Sequence, residues 1–297
     1  MNIVALSGAI ELGLLYGLVA LGVYLSFRVL DFPDLTADGS FPLGGAVAAT
    51  LIVKGVSPVL ATMIAVCAGA LSGICTASLN VKFKILNLLA SILTMIALYS
   101  INLRIMGQPN VSLLGESTIL TPLQGWLQAL PSWLGTPLVM LVIVGLAKLL
   151  LDWFFKTEIG LAMRATGANP DMARAQGINT DRMILLGMGL SNGLIALAGA
   201  LFAQVNGFAD VTMGVGTIVF GLAAVIVGET ILSKRGIFWA TLAALLGSVL
   251  YRLVVAIALN TQVFGLQSQD LNLVTAVLVA LALILPNYRK LRWRSSR

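Results

Sequence analysis

Histidine is absent from all 297 residues, and that absence excludes more chemistry than any motif present supplies. A serine hydrolase needs a base beside its nucleophile, and zinc or haem centres draw on His or clustered Cys. The run "GLSNG", Gly189 to Gly193, matches G-x-S-x-G in letters only: it lies inside an apolar stretch, not between a strand and a helix. Cysteine is nearly as scarce. Cys67 and Cys75 lie in one apolar run, about 12 Å apart along a helix, too far for a disulfide. They are expected to be small packing residues. No G-x-x-x-x-G-K-[ST] phosphate loop occurs. The chain does not read as an enzyme acting alone; its energy is expected from an ion gradient or from another chain, with no cofactor of its own.

Charge is the third scarcity. Charged residues make up 10% of the chain and hydrophobic ones 59%, where a soluble domain carries roughly 25% charged residues. Mean hydropathy is +0.99. Apolar runs recur that are long enough to cross ~30 Å of hydrocarbon. The fold expected is an all-α polytopic bundle, one transmembrane domain over residues 1–297. The net charge of +6 does not point to nucleic acid, because the basic residues lie in short loops and in "NYRKLRWRSSR", as positive-inside bias requires. The opening "MNIVALSGAIELGLLYGL" lacks the basic region of a cleavable signal and reads as a retained span.

Eight or nine spans are expected, at about 3–27, 31–54, 58–79, 85–103, 137–155, 183–204, 214–232, 237–259 and 271–285. The second must cross as a broken helix. Residues 105–136, with Glu116 as their single charge and with Trp126 and Trp133, suggest a helix lying in the interface. If residues 80–84, 156–182, 233–236 and 287–297 face the cytoplasm, 13 of the 18 Lys and Arg do so. With nine crossings the N-terminus is then outside and the C-terminus inside a cytoplasmic membrane. Gly13 with Gly17, Gly69 with Gly73, and Gly189 with Gly193 have the spacing that lets helices approach closely in lipid.

Three groups of residues point to function. The first is "DFPDLTADGSFPLGG", with Asp31, Asp34, Thr36, Asp38 and Ser40 among Pro33, Pro42 and glycines. Carboxylates at membrane depth face a cavity or a polar partner, and broken backbone is tolerated only where protein or water satisfies it. The segment is either a discontinuous, pathway-lining element or an ordinary loop ahead of a short span. The second is Glu11 and Arg252, deep within spans, each needing an internal partner or water. Lys148 and Glu229 lie where their side chains can reach the interface. The third is "TEIGLAMRATGANPDMARAQGINTDR" in loop 156–182. It reads as a helix to Thr166, a break at Gly167, then a small helix with Asn169 as N-cap, Pro170 in the first position, Asp171 on the dipole and Gly177 at the left-handed end. Met172, Ala173 and Ala175 give that helix an apolar surface, with Arg174 on the docking face.

The same stretch, with "MILLGMGLSNGLIALAGALFAQVNG" after it, resembles the permease subunits of ABC importers for branched-chain amino acids and related solutes. "YGLVALGVYLSFRVLDFPDLTADGSFPLGGAVAA" is similar to that family's first span and broken second helix. The resemblance makes Gly160, Arg164, Ala165, Gly167, Asn169, Met172, Ala173, Gly177 and Ile178 the cytoplasmic coupling helix that docks on an ATPase. It implies two ATPase subunits that bind the ATP, an extracytoplasmic solute-binding protein, a second permease copy and surrounding lipid. Asp31-Phe32-Pro33-Asp34-Leu35 replaces the family's usual Asn-Phe-Ala-x-Gly. This marks a less characterised branch, some members of which are associated with aromatic amino-acid uptake. The rival readings are an ion-gradient transporter using Glu11 and the Asp cluster, and an anchoring subunit with no path.

Overall fold

A computed structural model describes residues 3–123, 131, 133–232 and 236–260, with residues 277 and 280 singly. Nearly all of the ninth expected span, the basic tail, and residues 124–130 and 132 of the expected interfacial segment, Trp126 included, lie outside these residues. The described part is an all-α membrane bundle. Six helices are long and apolar enough to cross a bilayer: Ile3–Val29, Pro58–Phe83, Asn87–Met106, Gly135–Phe154, Thr180–Asn206 and Ile237–Ile257. Two shorter apolar helices, Ala37–Val53 and Thr217–Ile231, join them.

In chain order α1 (Ile3–Val23) passes into a wide π-helical turn, Tyr24–Val29, and α2 (Ala37–Val53) follows a break. Next come α3 (Pro58–Phe83), α4 (Asn87–Met106) and β1 (Asn110–Ser112). After them lie α5 (Gly135–Phe154), α6 (Glu158–Ala168), α7 (Pro170–Ala175) and α8 (Thr180–Asn206). Finally β2 (Phe208–Asp210) leads to α9 (Thr217–Ile231) and α10 (Ile237–Asn260). The long α8 separates two faces: α6 and α7 lie at its start, and β2 at its end.

Small residues decide how these helices meet. A Cβ on Gly13 would stand 2.8 Å from Val249 Cα, and one on Gly17 2.7 Å from Leu245 Cδ2, so α1 and α10 touch along the first glycine pair. On α3, a Cβ on Gly69 would stand 2.6 Å from the Asn192 carbonyl oxygen, and one on Gly73 would overlap the Met188 carbonyl. Gly189 and Gly193 face α3 in return, at 3.0 Å from Ile74 and 3.6 Å from Val66. Between α2 and α8, Gly44 sits on the Ala196 backbone and Gly199 on the Phe41 carbonyl. Lipid tails are as apolar as leucine, so close packing of this kind, not water exclusion, holds spans together. Large apolar side chains of α3, α4 and α5, such as Leu71, Ile96 and Leu150, point outward.

Several expectations need correction. Cys67 and Cys75 are exposed on α3, so they are not interior packing residues. Part of the 105–136 segment forms β1, paired antiparallel with β2 through Val111 opposite Ala209. That ribbon closes one end of the bundle over Ala46, Ala49, Ile52 and Ala203. Pro42 lies inside α2, so the break is confined to the residues ahead of Ala37. Lys148 does not reach an interface: it is 5% exposed and bonds Asp152, one turn on, at 2.5 Å. Asp152 also accepts the Thr241 hydroxyl from α10 at 2.6 Å, and the Lys148 ammonium lies 3.4 Å from the Phe238 ring centroid. Glu229 pairs with Arg28 through both carboxylate oxygens.

Candidate functional site

The break after α1 has local causes. The Ser26 hydroxyl bonds the Val23 carbonyl, competing with the helical ladder as Ser and Thr do in apolar spans. The Leu30 N–H then reaches back to Leu25, and the Phe32 N–H to Ser26, which widens the turn. Asp31 takes a left-handed conformation, φ 53°, and Pro33 forbids a return to helix. At Asp34 the chain re-forms: its Oδ1 accepts the Thr36 N–H at 2.9 Å, an Asx turn that opens α2.

This restart is bound to two neighbouring helices. Thr36 and Ser40 stand one helical turn apart, as do Ser72 and Thr76 on α3. They meet as two rungs, Thr36 with Thr76 and Ser40 with Ser72, each at 2.8 Å. From α8 the Asn192 amide donates to Asp34 Oδ2 at 2.7 Å, and its Oδ1 accepts the Ser40 hydroxyl at 2.7 Å. Asp34, Thr36, Ser40 and Asn192 are all buried. Burial of a carboxylate without partners is costly, and here each oxygen has a donor.

Asp38 links the break to a second discontinuity. The short α9 spans ~22 Å at 1.5 Å per residue, less than the ~30 Å of a bilayer, and it follows a turn descending from β2. Its first N–H groups need acceptors. Asp38, in the first turn of α2, supplies them: Ile218 N–H donates at 2.8 Å and Gly216 N–H at 3.2 Å. One carboxylate therefore sits at the positive ends of two half-helices. Gly216, with φ 83°, makes the sharp entry into α9.

The remaining two intramembrane candidates are not brought together. Glu11 is partly buried on α1 and forms no ion pair among the described residues. Arg252, on α10, stacks its guanidinium carbon 4.3 Å from the Tyr16 ring centroid and 5.2 Å from that of Phe220. Asp31 is exposed and stands apart from the polar network of Asp34.

The segment 157–179 has the caps expected. The Asn169 side chain accepts the Met172 N–H at 3.0 Å, Pro170 takes the first position of α7, and Gly177 ends it with φ 82°. Asp171 lies in the first turn. Ala173 is buried, whereas Met172 and Ala175 are exposed. Arg174 does not belong wholly to an outer face, because its Nε donates to Thr180 at 2.8 Å and Asp181 lies 3.6 Å away. Ile178 closes the turn, its N–H donating to the Ala173 carbonyl at 3.0 Å.

The helix break is at Asn169, whose backbone is extended, and α6 runs through Gly167. Gly167 serves close approach instead: a Cβ there would overlap the Val29 carbonyl at the end of the π turn. Gly160 likewise sits on the Phe154–Phe155 backbone, and Gly187 on Leu30. Arg164 is exposed beside them. The capped pair α6–α7 thus rests on the residues that begin the break.

Sequence reasoning missed Asn192, Ser72, Thr76 and Thr241, the partners that make the acidic residues tenable. A signal existed: Asn192 and Gln204 are amides within an apolar span, where uncompensated polar groups are rare. Gln204 donates to Thr62 at 2.8 Å and accepts the Ile119 N–H at 3.1 Å.

Comparison with known proteins gives this geometry its context. The family described as "Branched-chain amino acid transport system / permease component" matches residues 5–285. The tyrosine transport system permease protein of Clostridioides difficile is 41% identical over 266 residues, covering 90% of this chain and 86% of its own. A probable branched-chain amino acid transport permease protein, LivH, of Methanocaldococcus jannaschii is 30% identical over 214 residues, 66% of this chain and 64% of its own. The ribose import permease protein RbsC of Escherichia coli is 26% identical over 263 residues, 86% of this chain and 78% of its own. No solved structure matches. With multiple crossings, a broken span and a capped loop all inside the matched region, the chain belongs to the branched-chain amino acid permease family and is a multi-pass membrane permease subunit of an ABC importer, not an enzyme in itself.

Proposed function

We propose that this permease passes an amino acid of the aromatic class inward, driven by separate ATPase subunits that bind the ATP and fed by an extracytoplasmic solute-binding protein. Two copies of the chain form the pore within the lipid. The observation that carries the mechanism is the seat of Gly167 on the Val29 carbonyl. It joins the capped segment to the start of the broken span without an intervening flexible link. In this reading Met172, Ala175 and the exposed side of α7 meet the ATPase. Closure of the ATPases favours one arrangement of the bundle over another, and motion of α6–α7 is passed to residues 29–36. The Asp34–Asn192–Ser40 joint and the Asp38 cap are the parts that shift, bringing residues 31–40 to the path, with Glu11 and Arg252 facing it. The aromatic class is suggested by the tyrosine permease relative and by the Asp-rich break. Loops 80–84 and 156–182 face the cytoplasm, and the β1–β2 ribbon faces out.

Reconstitution with the ATPase and binding protein tests this reading. ATP-dependent tyrosine uptake that survives ionophores is expected; uptake that follows an ion gradient without ATP refutes it. For orientation, Cys67 and Cys75 are replaced by serine and single cysteines placed at Gly115 or Arg235. Labelling is expected from outside at Gly115 and from inside at Arg235, and labelling of both from one side contradicts the topology.

A further inference from the structure

Among the described intramembrane charges Glu11 and Arg252 both form no ion pair, and of the two Arg252 also has a buried donor without a partner. Asp34 and Asp38 are taken by Asn192, Thr36 and the α9 N-terminus, Asp152 by Lys148 and Thr241, and Glu229 by Arg28. Arg252 has no ion pair among the described residues, and its buried Nε has no hydrogen-bond partner. A guanidinium within a span is expensive and is kept only with a partner or water. Tyr16 and Phe220 beneath it do not fill that need. Ring faces attract the cation, but they do not accept its five N–H donors as a carbonyl or carboxylate oxygen does.

Snorkelling does not account for the placement either. Arg252 is half-buried, but its Nε is enclosed and the rings beside it are buried, Tyr16 at 9% and Phe220 at 5% exposed. Behind them Tyr16 stacks on Phe41 at 5.7 Å and Phe220 meets Tyr251 edge-on at 4.8 Å, which fixes the wall. A guanidinium set beside two ring faces, with its Nε unpaired, has a fork of donors that a planar two-oxygen acceptor fits.

We propose that Arg252 is the membrane-interior anchor for the α-carboxylate of the transported amino acid. This rests on the amino-acid importer reading above. Neutral solutes would leave the guanidinium unused, and the carboxylate is the anion that the amino-acid reading supplies. Arg252 binds solute only in transit, so its effect falls on transport rather than on assembly.

The test uses the reconstituted complex of permease, ATPase and binding protein. Wild-type ATP-driven uptake of L-tyrosine is measured first, and its absence counts against the amino-acid reading itself. Given wild-type uptake, Arg252→Gln and Arg252→Lys are expected to lose at least tenfold and about tenfold, with thermal unfolding in detergent unchanged. Undiminished uptake by Arg252→Gln overturns the proposal. Should that variant fail to assemble, the wild-type permease–ATPase complex is treated with phenylglyoxal, and modification of Arg252 is followed by peptide mass spectrometry. Protection by L-tyrosine but not by tyramine is expected. Equal modification with and without L-tyrosine, or protection by anionic lipid alone, overturns it.

Discussion

Asp34 and Arg252 are both charged-type residues set among apolar helices, and the bundle treats them in opposite ways. Asp34 is 1% exposed and each carboxylate oxygen has a donor within 2.9 Å. Arg252 lies on ring faces with its Nε unpaired. Asp34 is buried and Arg252 half-buried, with its Nε enclosed. Partner count separates them: a satisfied group ties together the helices it bonds, while an unsatisfied buried donor calls for a partner from water, ion or solute. Lys148 with Asp152 is a third case, satisfied like Asp34 but by a salt bridge within one helix that α10 completes through Thr241.

Changes that leave a charge buried without its partner should be the most damaging. Asn192→Leu removes the donor to Asp34 and the acceptor of Ser40 together, and should cost about 3 kcal/mol through the two buried groups left unpaired. A large fall in detergent unfolding temperature, or failure to accumulate, is the expected reading. An unchanged temperature would place Asp34 in water. Lys148→Met should cost a similar ~3 kcal/mol by stranding Asp152. The double change Lys148→Met with Asp152→Leu should recover most of that loss, and no recovery would mean the pair is not an isolated unit.

A smaller effect is expected at the half-helix. Asp38→Ala removes two bonds from the α9 N-terminus, about 1–2 kcal/mol for a lost cap, and Asp38→Asn should retain much of it. Hydrogen exchange at Ile218 measures this directly, with faster exchange in the alanine variant only. The smallest effect concerns Asp210, outside the spans. Burial tends to raise its carboxyl, but bonds from the Thr212 hydroxyl and N–H and from Asn110 outweigh that and hold it below the usual carboxylate range. A depressed carboxyl contributes stability above its unfolded value and loses it as pH falls through the folded one. Protection of the Ala209 amide should therefore persist at mildly acidic pH and decline only below the ordinary carboxylate range. A decline centred near the normal aspartate value would show that these bonds do not form.

Local chemistry was legible in the sequence, and partnerships were not. Asn169, Pro170 and Gly177 specify α7 within a few residues of chain, so its caps are where their chemistry requires. The break near Pro33 is equally local. Gly167 was misread because a glycine in a helical pattern signals either a break or a close approach, and only the Val29 carbonyl decides between them. Lys148 was placed at an interface although Asp152 stands one turn away, a spacing that sequence alone offers. The hydroxyl rungs of Thr36–Thr76 and Ser40–Ser72 share a four-residue spacing, yet nothing local says that α2 and α3 face each other. The β1–β2 ribbon joins three-residue strands far apart in the chain, too short to carry a periodic signal.

All of these sites are expected to work through α7, and Ala173 tests that link. It is buried, its N–H donates to the Asn169 carbonyl at 3.0 Å, and its carbonyl accepts from Ile178. Proline there removes the first bond and costs ~3 kcal/mol in a helix interior, at a residue that bonds neither Asp34 nor Arg252. In proteoliposomes holding permease, ATPase and binding protein, the number of solute molecules moved per ATP hydrolysed is the quantity to measure. The account predicts that Ala173→Pro inserts at the wild-type level and either loses the ATPase or hydrolyses ATP with at least a tenfold drop in that ratio. A wild-type ratio, with the ATPase still bound, would contradict it.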